Sequence, residues 1–146
     1  MELPSSVLEQ YAVSLKRGSI LFWKNFEFND GSKKDKLVLL LSNCLKNKCF
    51  VVVLPTSQIQ HYIAGSREMI DTIAFPKGSS SFFDIDTIID LKSVTLVEVE
   101  RLVPHLSSSV AKKLGELDET DWSKISDAVT NAQTLSPKII RVILSD

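Results

Sequence analysis

The chain has 146 residues, a formal net charge of −1, 44% hydrophobic and 24% charged residues. That length suits one domain with a real core, and that composition excludes a mainly disordered chain. Near-neutral charge also excludes a protein coated in basic residues for non-specific duplex binding, though not a local basic patch.

The chain order of elements follows from periodicity. Ser5 to Lys16 reads as a helix, capped by Ser5 or Ser6, with Leu8, Tyr11, Ala12 and Leu15 at helical spacing and Gly18 at its end. Ile20 to Phe28 is an aromatic-rich strand, followed by the turn signal Asn29-Asp30-Gly31-Ser32. Lys36 to Ser42 carries an uninterrupted apolar run, the pattern of a strand buried on both faces. A polar hairpin loop, Asn43 to Lys48, leads to the strand Phe50 to Leu54, which Pro55 stops.

Gln58 to Arg67 is a loop or short helix, and Met69 to Phe75 a strand. Pro76 to Ser81 reads as a flexible stretch. Thr87 to Leu91 and Ser93 to Val99 are β-branched strands. A short helix is expected over Ser107 to Leu114, with Gly115 beyond its end. Asp118 caps a helix to about Ala132, with Trp122, Ile125 and Val129 on one face. Ser136 and Pro137 open a last helix. This order predicts an α+β domain: a small, mostly antiparallel twisted barrel flanked by helices. It forms a single domain over residues 1–146.

Cys44 and Cys49 cannot complete a thiolate zinc site and are expected as two thiols rather than a hairpin disulfide. Met1 to Ser5 lacks the basic start and apolar run of a signal peptide, and the runs Leu37 to Leu41 and Phe50 to Leu54 are too short to span a bilayer. The expectation is a cytoplasmic protein without a membrane anchor.

Phosphate-binding glycine loops, nucleophile elbows and paired-histidine metal motifs are absent, and glycines number only five. No cofactor is expected. Between residues 18 and 60, six lysines stand against three acids, so the first half is cationic. Lys33, Lys34 and Lys36 on the β-hairpin can hold phosphates as point charges, or simply keep a loop solvated. Thr56 and Ser57, directly after an apolar strand, can hydrogen-bond a phosphate or developing oxyanion, or cap the following turn. His61 is a candidate acid or base, or incidental. His105 reads as structural at a strand–helix junction. Asp84, Asp86 and Asp90 lack the glycine and glutamate of a calcium loop. Phe82 and Phe83 can stack on bases or fill the core.

In order, these segments resemble the PemK/MazF toxins of bacterial toxin–antitoxin modules. The resemblance is carried by Arg17-Gly18-Ser19-Ile20-Leu21-Phe22-Trp23, by Asp30-Gly31-Ser32, by Leu37 to Asn43, and by Val51-Val52-Val53-Leu54-Pro55-Thr56-Ser57-Gln58. Ile88 to Leu91, Val94 to Leu96 and Lys113 to Leu117 continue it. It implies a core over 17–132, with a helical extension over 1–16 and an added helix over 133–146.

The resemblance also implies an SH3-like barrel, a homodimer, a cognate antitoxin, and metal-independent cleavage of single-stranded RNA. Lys36, Thr56 and Ser57 would be catalytic, and Lys33, Lys34, Gln58 and His61 would bind RNA. Where the family's hairpin ends in Arg-Pro, this chain has Lys36-Leu37, and lysine lacks the planar bidentate fork of arginine. A non-catalytic RNA- or protein-binding module is therefore the alternative. Gyrase poisoning, known on this fold, depends on a tryptophan near the C-terminus, whereas Trp122 lies within an expected helix.

Overall fold

Two neighbouring apolar runs, Leu37 to Leu41 and Phe50 to Leu54, require a sheet covered on both sides. The computed structural model describes residues 14–63 and 69–145, apart from the side chains of residues 61 and 63. The expected helix over Ser5 to Lys16 falls largely outside the described residues.

The chain runs β1 (Ser19–Glu27), β2 (Lys33–Leu40), β3 (Cys49–Val53), α1 (Gln60–Ile63), β4 (Thr72–Phe75) and β5 (Thr87–Asp90). A 3-10 turn at Leu91–Ser93 leads to β6 (Thr95–Glu98), α2 (Val99–Ser107), β7 (Ala111–Glu116), α3 (Glu119–Thr130) and α4 (Pro137–Leu144). Five strands form one antiparallel sheet in the order β6-β3-β2-β1-β7, and β4 and β5 form a separate two-stranded sheet. The expected barrel is corrected: the sheet is open, because its outer strands, β6 and β7, do not pair with each other.

Alternation on the strands feeds two cores. Leu21, Trp23, Val38, Leu40, Phe50 and Val52 pack on one face, under Val99, Leu102 and Val103 of α2. Ile20, Leu39, Val51 and Val53 pack on the other, under Ile73, Phe75 and Ile89 of the small sheet and Ile125, Val129 and Ile143 of α3 and α4. The apolar runs of β2 and β3 are thus buried on both sides. Burial of each such side chain contributes roughly 1.5–3 kcal/mol before chain entropy is counted.

The β1–β2 hairpin is shaped by two local devices. Its turn is closed by Gly31 at φ +87° and by Asp30, whose Oδ1 accepts from the Ser32 N–H at 2.9 Å and hydroxyl at 2.6 Å. Those Ser32 hydrogen bonds hold the Asp30 carboxyl below its usual range. The pairing of β1 with β2 shifts register between Trp23 and Phe26, where Asn25 adopts φ 55° and donates its N–H to Asp35 Oδ1 at 2.9 Å.

The expected helix over Ser107 to Leu114 is also corrected. The helix comes earlier, at Val99–Ser107, and includes Pro104. Ala111–Glu116 is instead strand β7, paired with β1. Gly115 sits opposite Ile20, next to a register shift, rather than ending a helix. The strand expected over Ser93 to Val99 accordingly ends at Glu98, and His105 lies in the last turn of α2 with its ring 5.1 Å from Trp23.

The last two helices begin where their caps predict. Asp118 accepts from the Asp121 N–H and Ser136 from the Ile139 N–H. Arg17 closes the far end of α4: its guanidinium donates to the carbonyls of Ile143 and Ser145 and lies 5.1 Å from the Trp122 ring. Cys44 and Cys49 are unbridged, and burial pushes the Cys44 thiol up. Among the described residues, no helix is long and apolar enough to cross a membrane.

Candidate functional site

Strand lengths create the site. β2 pairs with β3 only through Leu39↔Val53 and Leu40↔Val52, since Pro55 follows so soon. The outer half of β2 therefore projects past the end of its neighbour. Thr56 turns away to bridge Ile88, exchanging N–H···O bonds of 2.9 and 2.8 Å. This carries Thr56, Ser57 and Gln58 across from the projecting part of β2, and a cleft of about 520 Å3 opens between them, within the usual range for ligand sites.

Lys34 and Lys36 line this cleft together with Thr56, Ser57 and Gln58. Lys36 and Thr56 are twenty positions apart in sequence. A smaller recess of about 170 Å3 shares Lys36, Thr56 and Gln58 and continues toward Phe28, Leu54 and Tyr62. Lys33, opposite Glu27 in the hairpin, lines neither recess. The His61 side chain lies outside the described residues.

Several hydrogen bonds fix these side chains. Thr56 Oγ1 accepts the Gln58 N–H at 3.1 Å, and a hydroxyl that accepts one bond keeps its own proton to donate. Lys36 and Thr56 are half-buried, whereas Lys34, Ser57 and Gln58 are exposed. One oxygen of Asp35 is held by the Asn25 N–H, so this carboxylate braces the hairpin bulge. Asp84 is the exposed carboxylate on the opposite wall. Two ammonium groups and two hydroxyls line one space with the carboxylates of Asp35 and Asp84; the ammonium groups can pair with a phosphate diester and the hydroxyls can donate to its non-bridging oxygens.

The three neighbouring aspartates have separate roles. Asp86 Oδ1 accepts the Lys77 N–H at 2.7 Å. Asp90 is buried and accepts from the Tyr62 hydroxyl at 2.9 Å, the Lys92 N–H at 2.9 Å and, through an ion pair, Lys92 Nζ at 3.0 Å. Among the described residues, no group of three or more His, Cys, Asp or Glu side chains could hold a metal ion.

The phenylalanine pair offered for base stacking or core divides between the two: Phe83 is buried and Phe82 is half-buried, while Phe22 was not among the candidates. Phe22 and Phe82 line the cleft beside the lysines. The loop that carries Phe82 is held from below: Ser80 Oγ donates to buried Asp121 at 2.6 Å and accepts the N–H groups of Phe82 and Phe83 at 3.0 and 3.1 Å. The stretch read as flexible is thus tied down by its serines. The serine run directly before the two phenylalanines is the sequence signal for that tether. The sequence matches no protein-family model and no curated protein.

Proposed function

We propose that the cleft binds a phosphate of single-stranded RNA and cleaves the chain there without a metal, as a divergent toxin of the PemK/MazF type. The observation that carries this reading is the convergence of Lys34 and Lys36 with Thr56, Ser57 and Gln58 in one cleft. The order of the segments, a basic hairpin followed by a Thr-Ser element after the third strand, also supports the family reading and its SH3-like core.

In this reaction the RNA 2′-hydroxyl attacks the adjacent phosphorus while the bond from phosphorus to O5′ breaks. Asp84 accepts the proton of the 2′-hydroxyl. Lys36 neutralises the phosphate and supplies a proton to the departing O5′. Thr56 and Ser57 donate to the non-bridging oxygens as their charge grows. The products are a 2′,3′-cyclic phosphate and a 5′-hydroxyl. A homodimer and a cognate antitoxin belong to the same reading, and exposed Leu96 and Leu114 on the two outer strands are surfaces such partners would cover.

The test is incubation of a long single-stranded RNA with the protein in EDTA. Fragments with those two ends are expected, and they should vanish with Lys36→Ala and Thr56→Ala. Cutting that survives both substitutions removes the site assignment. A second reading, binding without cleavage, is favoured by Lys36-Leu37 standing where the family has Arg-Pro. It would give a saturating isotherm with intact RNA.

A further inference from the structure

Resting on that reading, we infer that the wide recess is a base-stacking seat: one unpaired base of the strand lies against Phe82, while the adjoining phosphate sits on the ridge of Lys36, Thr56 and Gln58.

Phe82 is held in place by packing on its inner side. Its ring meets Phe83 edge-on at 5.3 Å, and buried Phe83 lies 5.3 Å from buried Phe75. Phe82 also packs on β7 at Gly115, where a Cβ would stand in van der Waals contact with the ring at 3.4 Å. Its backbone N–H is fixed by Ser80, itself fixed by Asp121. The ring is nevertheless only half-buried, and it faces a cleft that also holds Phe22 and the two lysines. A rigid, partly exposed aromatic beside ammonium groups is the combination that holds unpaired bases next to a backbone phosphate.

The two recesses point to a chain rather than a mononucleotide. They meet at Lys36, Thr56 and Gln58 and differ in volume, about 520 against 170 Å3. A strand crossing this ridge would place one nucleotide on each side of the bound phosphate. A duplex, whose bases are already stacked and paired, could not use the seat.

The experiment is a fluorescence titration with a 2′-deoxy oligothymidine carrying one 2-aminopurine. Absence of the 2′-hydroxyl prevents attack on the phosphate, and stacking quenches the probe. Quenching is expected with the parent protein. Phe82→Leu should abolish it and weaken binding about 5- to 100-fold. If Phe82→Leu loses cooperative melting, Phe82→Trp decides the matter: it keeps a ring, so affinity and quenching at least equal to the parent's are expected, and weaker quenching overturns the seat. Binding that depends on salt and on Lys36 but leaves the probe bright also overturns the seat, while the phosphate-binding reading stands. No binding at low salt overturns both.

Discussion

The two faces of the central sheet are covered in different ways, and the difference locates the cleft. Among the described residues, one face is closed by α2 together with Leu15. Trp23 and Phe26 stack edge-on at 5.1 Å, and Arg101 lies over both rings, at 5.4 and 4.9 Å, while donating to the Glu27 carbonyl. That cover reaches the distal end of the β1–β2 hairpin. The other face is closed by the small sheet with α3 and α4, a larger cover whose outermost members, Phe82 and Phe83, border the open cleft over Phe22 and Leu37. Adjacent residues on β1 therefore have opposite fates. Trp23 is 2% exposed in a core, and Phe22 is half-buried on the wall of a cleft.

The largest expected effect separates those two neighbours. Trp23→Ala should cost about 3–5 kcal/mol of stability through the cavity it leaves. Phe22→Ala should cost about 1 kcal/mol or less yet weaken RNA binding. Urea denaturation of both variants, paired with RNA titration, checks this. Equal losses of stability would mean that the two faces are equally closed. Next in size is the chemistry: Lys36→Ala should lower the single-turnover cleavage rate about 10²- to 10³-fold, while its melting temperature stays close to the parent's. Lys36→Arg keeps the positive charge but gives up a proton poorly, so its rate should fall below the parent's while staying above that of the alanine variant. A rate equal to the parent's would mean that Lys36 acts by its charge alone and that another group protonates O5′.

What the sequence revealed follows the same division between local and distant causes. The doubly buried strands β2 and β3, and the starts of α3 and α4, were legible because each signal lies within a few residues: an unbroken apolar run, Asp118 before a helix, Ser136 before Pro137. Ala111–Glu116 was misread because alanine, lysine, leucine and glutamate favour helices locally, while the deciding partner, the edge of β1, lies some ninety positions earlier. Val99 and Pro104 disguised α2 in the opposite way, since Val99, Leu102 and Val103 form a helix to cover a sheet face. Barrel closure depends on whether β6 and β7 meet, which no short pattern encodes. For the site, charge and hydroxyl chemistry marked Lys36, Thr56 and Ser57. Phe82 was marked as one of a pair that either stacks on bases or fills the core, but Phe22 stayed hidden because its exposure is set by where the second cover stops.

A smaller effect should appear in acid, and on one face. Burial tends to raise the Asp71 carboxyl, but hydrogen bonds from the Thr134 hydroxyl and from the N–H groups of Gln133 and Thr134 outweigh it and hold the carboxyl below its usual range. Asp71 thereby ties the start of β4 to the α3–α4 connection. A depressed carboxyl stabilises the fold above its unfolded value, near 4, and that contribution disappears as pH falls through the folded value. The melting temperature should therefore decline below about pH 4, and Asp71→Asn should flatten part of that decline. Amide exchange at low pH should open β4 and the α3–α4 connection before α2. Opening in the reverse order would mean that the cover containing α2 is the weaker one.

The smallest effect tests whether the proposed RNA recognition is confined to the cleft or spread over the cationic first half of the chain. Lys48 belongs to that basic half but sits in the β2–β3 turn, at the opposite end of these strands from Pro55 and Thr56. Its φ is 62°, and its own backbone is held by bonds from the Lys48 N–H to Leu45 O and from the Val99 N–H to Lys48 O, each 2.9 Å. Lys48→Gly keeps both bonds and removes the cost of a Cβ in the left-handed region. Greater freedom of the unfolded chain offsets part of that gain. The net should be a rise of about 0.5 kcal/mol, or one to two degrees in melting temperature. RNA affinity should stay unchanged at 0.15 M salt, because the lost charge is screened over the length of a strand, whereas Lys34→Ala should weaken binding. Equal losses from the two substitutions would show that the strand is held by overall charge and would move recognition out of the cleft.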